Sequence, residues 1–297
     1  MKYSDNNKPI QCFLSQSRWY NISSSMSIKG VLWHSTGANN PNLKRYVQPS
    51  LKDTNRNNLL SSIGTNANNN HWNIYSAKDS KGVNAFIGKL ANGEISTIQT
   101  GPWNRRPWGC GSGSKGSCND GWIQFEICED GLSDKTYFNK VYKEACELTA
   151  YLCKRYGLNP KGYSSVGNVK VPVILCHADS YKLGLGSNHS DVLHWFKKFG
   201  KTMDNVRNDV YNLINYKEEV EEEMTQEQFN QMFKIAMDNY RKNLQDNDAS
   251  DWSKEARIWA TDKGIVQGGS GNNFMWEDFT TREQLMTFLY RYNKLNK

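Results

Sequence analysis

Two short apolar runs that each lead into a histidine constrain the fold of this chain most. The first, Val31–Trp33, precedes His34 and then a Ser-Thr-Gly turn, and the second, Val171–Cys176, precedes His177. Short apolar runs bounded by polar turn residues are typical of buried strands. A lone histidine at such a place is more often structural than catalytic. Two of them favour a shared metal or catalytic site at one edge of a sheet.

Further strands and one long helix are predicted from residue periodicity. Asn84–Leu90 and Glu94–Thr100 flank the turn Ala91–Gly93, whose Asn-Gly pair is a strong hairpin signal. Trp122–Glu129 alternates apolar and polar residues, as a strand with two different faces does. Apolar residues recur at helical spacing over Tyr137–Tyr156, and Gly157 then provides a stop signal.

Weaker patterns predict four shorter elements. We expect a helix at Asn42–Val47, a strand at His71–Tyr75, and terminal helices of the first domain at Asp191–Phe199 and Asp204–Tyr216.

The formal net charge of +7 is unevenly distributed along the chain. Residues 1–216 carry a net charge of +11, whereas residues 217–297 carry −4. A basic first part predicts a polyanionic partner, for which nucleic acid and the bacterial cell wall both qualify. Because no helix-turn-helix, zinc-finger or RNA-binding signature is present, we expect no nucleic-acid partner.

Targeting and cysteine signals are few. No apolar run is long enough to span a membrane. The first residues contain no basic segment followed by an apolar stretch, so we expect synthesis in the cytoplasm without a signal peptide. The seven cysteines include no C-x-x-C pair, which argues against a disulfide framework or a zinc knuckle. Cys110 and Cys118 flank a Gly/Ser-rich loop, and whether they pair under oxidising conditions stays open.

An acidic run divides the chain into two predicted domains, residues 1–216 and 225–297. We interpret Lys217–Met224 as a solvated linker because six of its eight residues are charged, five of them glutamates. Beyond it, helices are predicted at Thr225–Leu244, which opens with a capping box, and at Trp252–Lys263. A third helix is predicted to begin at Thr280 or Thr281. The second domain is therefore expected to be a small all-α module.

The residues around the two histidines resemble the zinc-dependent N-acetylmuramoyl-L-alanine amidases, a family that includes phage lytic amidases and peptidoglycan-recognition proteins. The resemblance covers about residues 28–215 and includes Glu126 on a predicted strand and the segment Asn188–Asp191 before a tryptophan. It implies an α/β fold, with a mixed central β-sheet flanked by helices. It also implies Zn²⁺ as cofactor and peptidoglycan as substrate.

In that family two histidines and one Asp or Cys hold a catalytic zinc, which implies His34, His177 and Asp191 here. Val192 departs from the proline that usually follows the third ligand, and His189 is the competing choice. Counting back two positions from Asp191 gives His189 the role of oxyanion stabiliser, where the family commonly has Lys. The family implies that Glu126 is the general base, whereas the bare pattern allows a solvent-facing strand residue.

The resemblance implies hydrolysis of the amide between the lactyl group of N-acetylmuramic acid and L-alanine of the stem peptide. The chain contains ten tryptophans, and aromatic side chains often contact carbohydrate. Trp103, Trp108 and Trp122 are therefore predicted to line a glycan groove, although burial in a core is the commoner fate of tryptophan.

Residues 245–294 resemble an S-layer homology module. The resemblance rests on Trp252–Gly268, on Phe279–Leu285 and on Leu289–Arg291. It implies binding to a secondary cell-wall polymer, with Arg282 in contact with the ligand. The alternative is that Arg282 pairs with a nearby carboxylate. The sequence contains one clear copy of the module, whereas the family usually has several. Three alternatives stay open: the single module anchors weakly, it requires oligomerisation, or it uses a degenerate first helix.

A lytic amidase joined to a wall-binding module predicts a phage endolysin that is made in the host cytoplasm and acts at the Gram-positive cell wall. A bacterial autolysin is the nearest alternative, and a non-catalytic peptidoglycan receptor is an alternative of a different class. The three ligands that the resemblance implies argue against the receptor.

Overall fold

The computed structural model describes residues 1–79, 81–215, 224–243, 249–269 and 273–295. The chain divides into two compact units, residues 1–217 and 218–297. Residues 217–223 of the predicted linker lie outside the described residues, as do Tyr216 and Leu244 at the ends of two predicted helices.

The N-terminal unit is built on a six-stranded sheet. Its strands are β1 (Ile10–Gln11), β2 (Gly30–Asn39), β3 (Ala85–Lys89), β4 (Ile95–Gln99), β5 (Trp122–Glu129) and β8 (Ile174–Cys176). Their order across the sheet is β1-β4-β3-β5-β2-β8. The β3–β4 hairpin is antiparallel, whereas β5 and β8 lie parallel to β2 on its two sides. This mixed sheet, flanked by helices, confirms the predicted fold class. A separate hairpin pairs β6 (Tyr163–Val166) with β7 (Val169–Pro172).

The helices of this unit are α1 (Arg18–Ile22), α2 (Arg56–Ile63), α3 (Lys135–Arg155), α4 (His177–Lys182), α5 (Leu193–Phe196) and α6 (Met203–Asn215). The longest, α3, begins after Asp134, whose carboxylate accepts hydrogen bonds from the backbone N–H groups of Thr136 and Tyr137. It ends before Gly157, which has a φ of 63° that an L-residue rarely adopts. The predicted helix there is confirmed.

The alternation in β5 places its side chains on two faces, each covered by a different part of the protein. Ile123, Phe125 and Ile127 belong to the main hydrophobic core together with α3 and α6. Trp122 and Cys128, on the other face, belong to two smaller clusters. The sheet is thus covered on both faces, as sheets rich in parallel strands usually are.

Several short predicted elements differ in the structure. Leu43–Arg45 forms one turn of 3-10 helix instead of the predicted Asn42–Val47 helix, and residues 71–75 form bends without a strand. Residues 191–199 contain α5 and a 3-10 turn, not one continuous helix. The turn predicted after His34 is also wrong, because β2 continues to Asn39 with an irregular register between Ser35 and Asn39.

The C-terminal unit contains α7 (Gln226–Asn243), α8 (Lys254–Asp262) and α9 (Arg282–Leu295) among its described residues. The predicted capping box forms at α7, since the Gln228 N–H donates to Thr225 Oγ1 and the Thr225 N–H donates to Gln228 Oε1. Thr281 and Gln284 make the same reciprocal pair before α9. In the part of the chain that the structure describes, no helix combines the length and apolar character needed to cross a bilayer.

Candidate metal and catalytic site

Two neighbouring parallel strands bring the two histidines together. Trp33 of β2 is paired with Cys176 of β8, and His34 and His177 directly follow the two residues of this pair. His177 is also the first residue of α4. Asp191 lies in the loop before α5, and its backbone carbonyl accepts a hydrogen bond from the Ala178 N–H. This bond ties the Asp191 loop to the start of α4, beside both imidazoles.

The side chains of His34, His177 and Asp191 form a compact buried group. One ligand atom from each lies within 4.8 Å of the others. Nδ1 of His34 lies 3.1 Å from Asp191 Oδ2, and Nδ1 of His177 lies 3.4 Å from Asp191 Oδ1. The imidazole rings are nearly perpendicular, with centroids 4.8 Å apart. Both Nδ1 atoms therefore point at one carboxylate. Two imidazole nitrogens and a carboxylate oxygen are a set of donor atoms that a divalent cation prefers.

Opposing effects set the ionisation of this group. Burial acts to raise the pKa of Asp191, but hydrogen bonds and positive charge from His177 and His34 hold it well below its usual range. Burial lowers the pKa of His177 and outweighs the hydrogen bond with Asp191. For His34 burial acts in the same direction, but Asp191 and Glu126 raise its pKa overall. The site thus contains an ionised carboxylate between two imidazoles.

His189, the alternative third ligand, lies outside this group. Its side chain is exposed, and its ring stacks on that of His177 with centroids 4.5 Å apart. Its Nδ1 lies 3.1 Å from Ser187 Oγ, which in turn lies 3.1 Å from Nε2 of His177. Of the two candidate third ligands, Asp191 lies beside both histidines, whereas the side chain of His189 is exposed.

Glu126 of β5 faces the group from the other side of β2, because it is paired in register with His34. Its Oε2 atom is buried and has no hydrogen-bond partner among the described residues. Burial raises the pKa of Glu126 to about 7, opposed by His34 and reinforced by the negative charges of Asp191 and Glu129. A carboxyl group of this kind exchanges protons near neutral pH.

These residues line one cavity of about 310 Å³. Its lining consists of His34, Ser35, Thr36, Gly37, Gly109, Glu126, His177, His189, Ser190, Asp191 and His194. Nε2 of His194 lies 3.0 Å from Glu129 Oε1. That hydrogen bond raises the pKa of His194. The cavity is therefore lined by a carboxyl group that exchanges protons near neutral pH and by several imidazoles.

The three tryptophans predicted to line a glycan groove have different environments. Trp122 is fully buried, and its indole N–H donates to the Pro172 carbonyl. Trp103 is buried in the main core. Neither offers a surface to a ligand, so the prediction is wrong for these two. Trp108 is half-buried and lines a second cavity of about 640 Å³, which shares Gly109 with the first.

Sequence reasoning did not single out Gln124, which contacts the site directly. Its Oε1 atom lies 2.9 Å from Nε2 of His34. Gln124 and Glu126 are two residues apart on β5, so their side chains lie on the same face of the sheet, beside His34. The alternation of residues in this strand could have identified Gln124 as a residue of the site.

Residues 24–192 match a protein family described as N-acetylmuramoyl-L-alanine amidase. The match includes His34, Glu126, His177 and Asp191. None of the curated proteins matches the sequence significantly.

Several solved structures are similar to this chain over most of their length. One is described as the Staphylococcus aureus hydrolase AmiA in complex with its ligand, with 16% identity, a TM-score of 0.41, and coverage of 69% of this chain and 84% of that chain. PlyL has 17% identity, a TM-score of 0.41, and coverage of 67% and 93%. A mutant endolysin from Bacillus subtilis has 17% identity, a TM-score of 0.40, and coverage of 68% and 97%.

Proposed function

The chain belongs to the N-acetylmuramoyl-L-alanine amidase family, and from that premise we propose that it is a zinc-dependent peptidoglycan amidase. It cleaves the amide between the lactyl group of N-acetylmuramic acid and L-alanine of the stem peptide. The observation that carries this proposal is the buried group of His34, His177 and Asp191, within 4.8 Å, in a cavity that also holds Glu126. All four residues lie inside the segment that matches the family.

The donor set fits zinc. Two imidazole nitrogens and one carboxylate oxygen are borderline and hard ligands of the kind that catalytic zinc takes, and three protein ligands leave one position for water or substrate. His34, His177 and Asp191 would hold the ion. Zinc, when bound, supplies Lewis-acid activation of water and of the scissile carbonyl.

Glu126 is the proton carrier in this proposal. Its carboxylate accepts a proton from the attacking water, and its carboxylic acid then delivers the proton to the leaving nitrogen of alanine. A base is most effective when its pKa lies near the working pH. Without a metal, burial raises the pKa of Glu126 to about 7, and a bound cation would favour the carboxylate form that accepts the proton. Because Oε2 has no partner among the described residues, no hydrogen bond to one of these residues must be broken before it accepts the proton.

His189 is proposed to donate a hydrogen bond to the oxyanion that forms on the carbonyl oxygen. Its exposed side chain lines the cavity, and its ring stacks on that of His177. An N–H donor aimed at developing negative charge is a common source of transition-state stabilisation.

The C-terminal unit is proposed to bind a secondary cell-wall polymer. It contains a cavity of about 390 Å³, lined among others by Gln267, Asn273, Trp276, Phe279 and Gln284. Amide and aromatic side chains of this kind suit a hydroxyl-rich polymer. Arg282, the predicted contact, is exposed at the first position of α9 and is not among the residues that line this cavity.

Full-length Trp276→Ala and Arg282→Ala proteins test this role by binding to cell walls before and after acid removal of secondary polymers. We expect Trp276→Ala to lose the polymer-dependent part of binding and to keep hydrolysis of a soluble muramyl peptide. Unchanged binding in both variants contradicts the assignment.

The endolysin role stays a prediction. Expression inside a Gram-positive cell, with and without a holin-type membrane lesion, tests it: lysis that requires the lesion supports an endolysin, and lysis without one favours an exported autolysin.

The amidase activity is tested on purified peptidoglycan. We expect new N-terminal alanine groups without new reducing sugars, loss of activity after chelation, and its return with zinc. A non-catalytic receptor would bind the wall without releasing any amine. New reducing ends would instead indicate a glycosidase, and either result overturns the proposal.

A further inference from the structure

A directed chain of hydrogen bonds runs from the backbone to the outer nitrogen of His34. It begins at the Gly111 carbonyl, which accepts from Asn119 Nδ2 at 3.2 Å. Asn119 Oδ1 accepts from the Cys110 backbone N–H and from Gln124 Nε2, at 3.2 and 2.9 Å. Gln124 Oε1 then lies 2.9 Å from Nε2 of His34.

The polarity of this chain is fixed at its first link. A backbone carbonyl can only accept and a backbone N–H can only donate, so the amide of Asn119 can be oriented in one way. Its oxygen then faces Gln124, which must present its amide nitrogen there and its own oxygen to His34. Because an amide oxygen cannot donate, Nε2 of His34 must carry the proton.

The consequence concerns the other ring nitrogen. In a neutral imidazole only one nitrogen is protonated, so a proton held on Nε2 leaves the Nδ1 lone pair free. Nδ1 is the atom that faces Asp191 at 3.1 Å. We propose, on the basis of the proposed zinc amidase function, that Gln124 is a positioning residue that fixes His34 in the tautomer and orientation in which Nδ1 binds the metal.

Gly109 provides the space that this contact needs. A Cβ atom at Gly109 would overlap Gln124 Oε1 and would lie 3.1 Å from Nε2 of His34. Any side chain at position 109 must therefore displace the hydrogen bond between these two groups. Gln124 and His34 are both buried, so water cannot replace the lost partner without opening the core.

The matched substitution pair is Gln124→Met and Gln48→Met. Gln48 is also a buried glutamine whose amide nitrogen and oxygen are both hydrogen-bonded, to Gly64 O and to the Asn66 N–H. Neither of these partners is a histidine. Both substitutions remove a satisfied buried amide, so both should lower stability. We expect only Gln124→Met to weaken zinc binding, by about 10- to 100-fold in Kd.

A second pair uses glycines. Gly109→Ala should weaken zinc binding in the same way, whereas Gly88→Ala should not. A Cβ at Gly88 would lie 2.7 Å from Pro41 O and 2.8 Å from Cys128 Sγ, so Gly88→Ala introduces comparable crowding away from the imidazoles. Zinc Kd values of the folded full-length variants are measured by competition with a chelating dye.

The tautomer is read by NMR of zinc-loaded protein with ¹⁵N-labelled histidines. The wild type should show an Nε2–H on His34 that exchanges slowly with solvent, and in Gln124→Met this exchange should be at least about tenfold faster. An Nδ1–H tautomer in the wild type, or an unchanged zinc Kd in Gln124→Met, overturns the inference while leaving the proposed function intact. A wild type that binds no zinc overturns both.

Discussion

Glu126 holds a carboxyl group in an environment that disfavours its charge, so Glu126→Gln should stabilise the metal-free protein at alkaline pH. One carboxyl oxygen is buried without a partner among the described residues, and burial raises the pKa of the group from 4.5 to about 7. The same substitution removes the proposed proton carrier and should abolish hydrolysis. A gain in stability together with a loss of activity is the signature of a residue retained for function.

The sign and size of the stability difference between Glu126→Gln and the wild type follow from proton linkage. The folded protein binds this proton more tightly than the unfolded chain, so the stability associated with Glu126 is complete below pH 4.5 and is lost as the pH rises to about 7. The difference between these two pKa values corresponds to about 3 kcal/mol. Glutamine does not ionise, so the variant should be more stable by about 3 kcal/mol at pH 8, and by less than about 1 kcal/mol at pH 5.

Urea unfolding of both proteins at pH 5 and pH 8, in the presence of a chelator, measures this difference. The metal must be absent because a bound cation favours the ionised carboxylate. Glu129→Gln is the matched control on the same strand. Glu129 accepts a hydrogen bond from Ser35 Oγ at 2.6 Å and pairs with His194 at 3.0 Å. Loss of the Glu129 carboxylate should therefore destabilise the protein at both pH values. Equal or lower stability of Glu126→Gln at pH 8, or the same difference at both pH values, would refute the reasoning.

Other substitutions test the site and the fold separately. His189→Ala should retain zinc and lower kcat by about 100-fold, measured by metal analysis and amine release, if its imidazole stabilises the oxyanion. Trp108→Ala should raise KM for peptidoglycan with little change in kcat, because Trp108 lies beside the cavity and not in the ligand group. Asp134→Ala removes the cap of α3 and should cost about 1 kcal/mol in urea unfolding with normal kinetics. Phe138→Ala, which empties a fully buried position against Trp195, should cost about 3–5 kcal/mol.

The parts of the fold that were predictable from sequence are those in which apolar residues recur several times at strand or helix spacing. The alternation over Trp122–Glu129 and the helical spacing behind α3 each recur several times, so local pattern and tertiary burial agree. Segments 42–47 and 71–75 are too short to show a repeated period, and their conformation follows from neighbours distant in sequence. Trp72, for example, packs edge-on against Phe86 of β3 instead of extending a strand.

The candidate site was predictable where a strand determines side-chain direction, and not where a loop does. His34 and His177 follow paired residues of neighbouring strands, so their proximity follows from the register. Asp191 and His189 are two residues apart in a loop, and their spacing says nothing of which one turns inward. In the structure the Asp191 carboxylate lies beside both imidazoles, whereas the His189 side chain is exposed. Trp122 could not be assigned to groove or core before its burial was known.

The zinc content of the purified Asp191→Ala protein, beside wild type and His189→Ala, tests the central claim most directly. If His34, His177 and Asp191 hold the ion, wild type and His189→Ala should each contain about one zinc per chain, and Asp191→Ala should contain almost none. Stoichiometric zinc in Asp191→Ala, with loss of zinc in His189→Ala, would contradict the account.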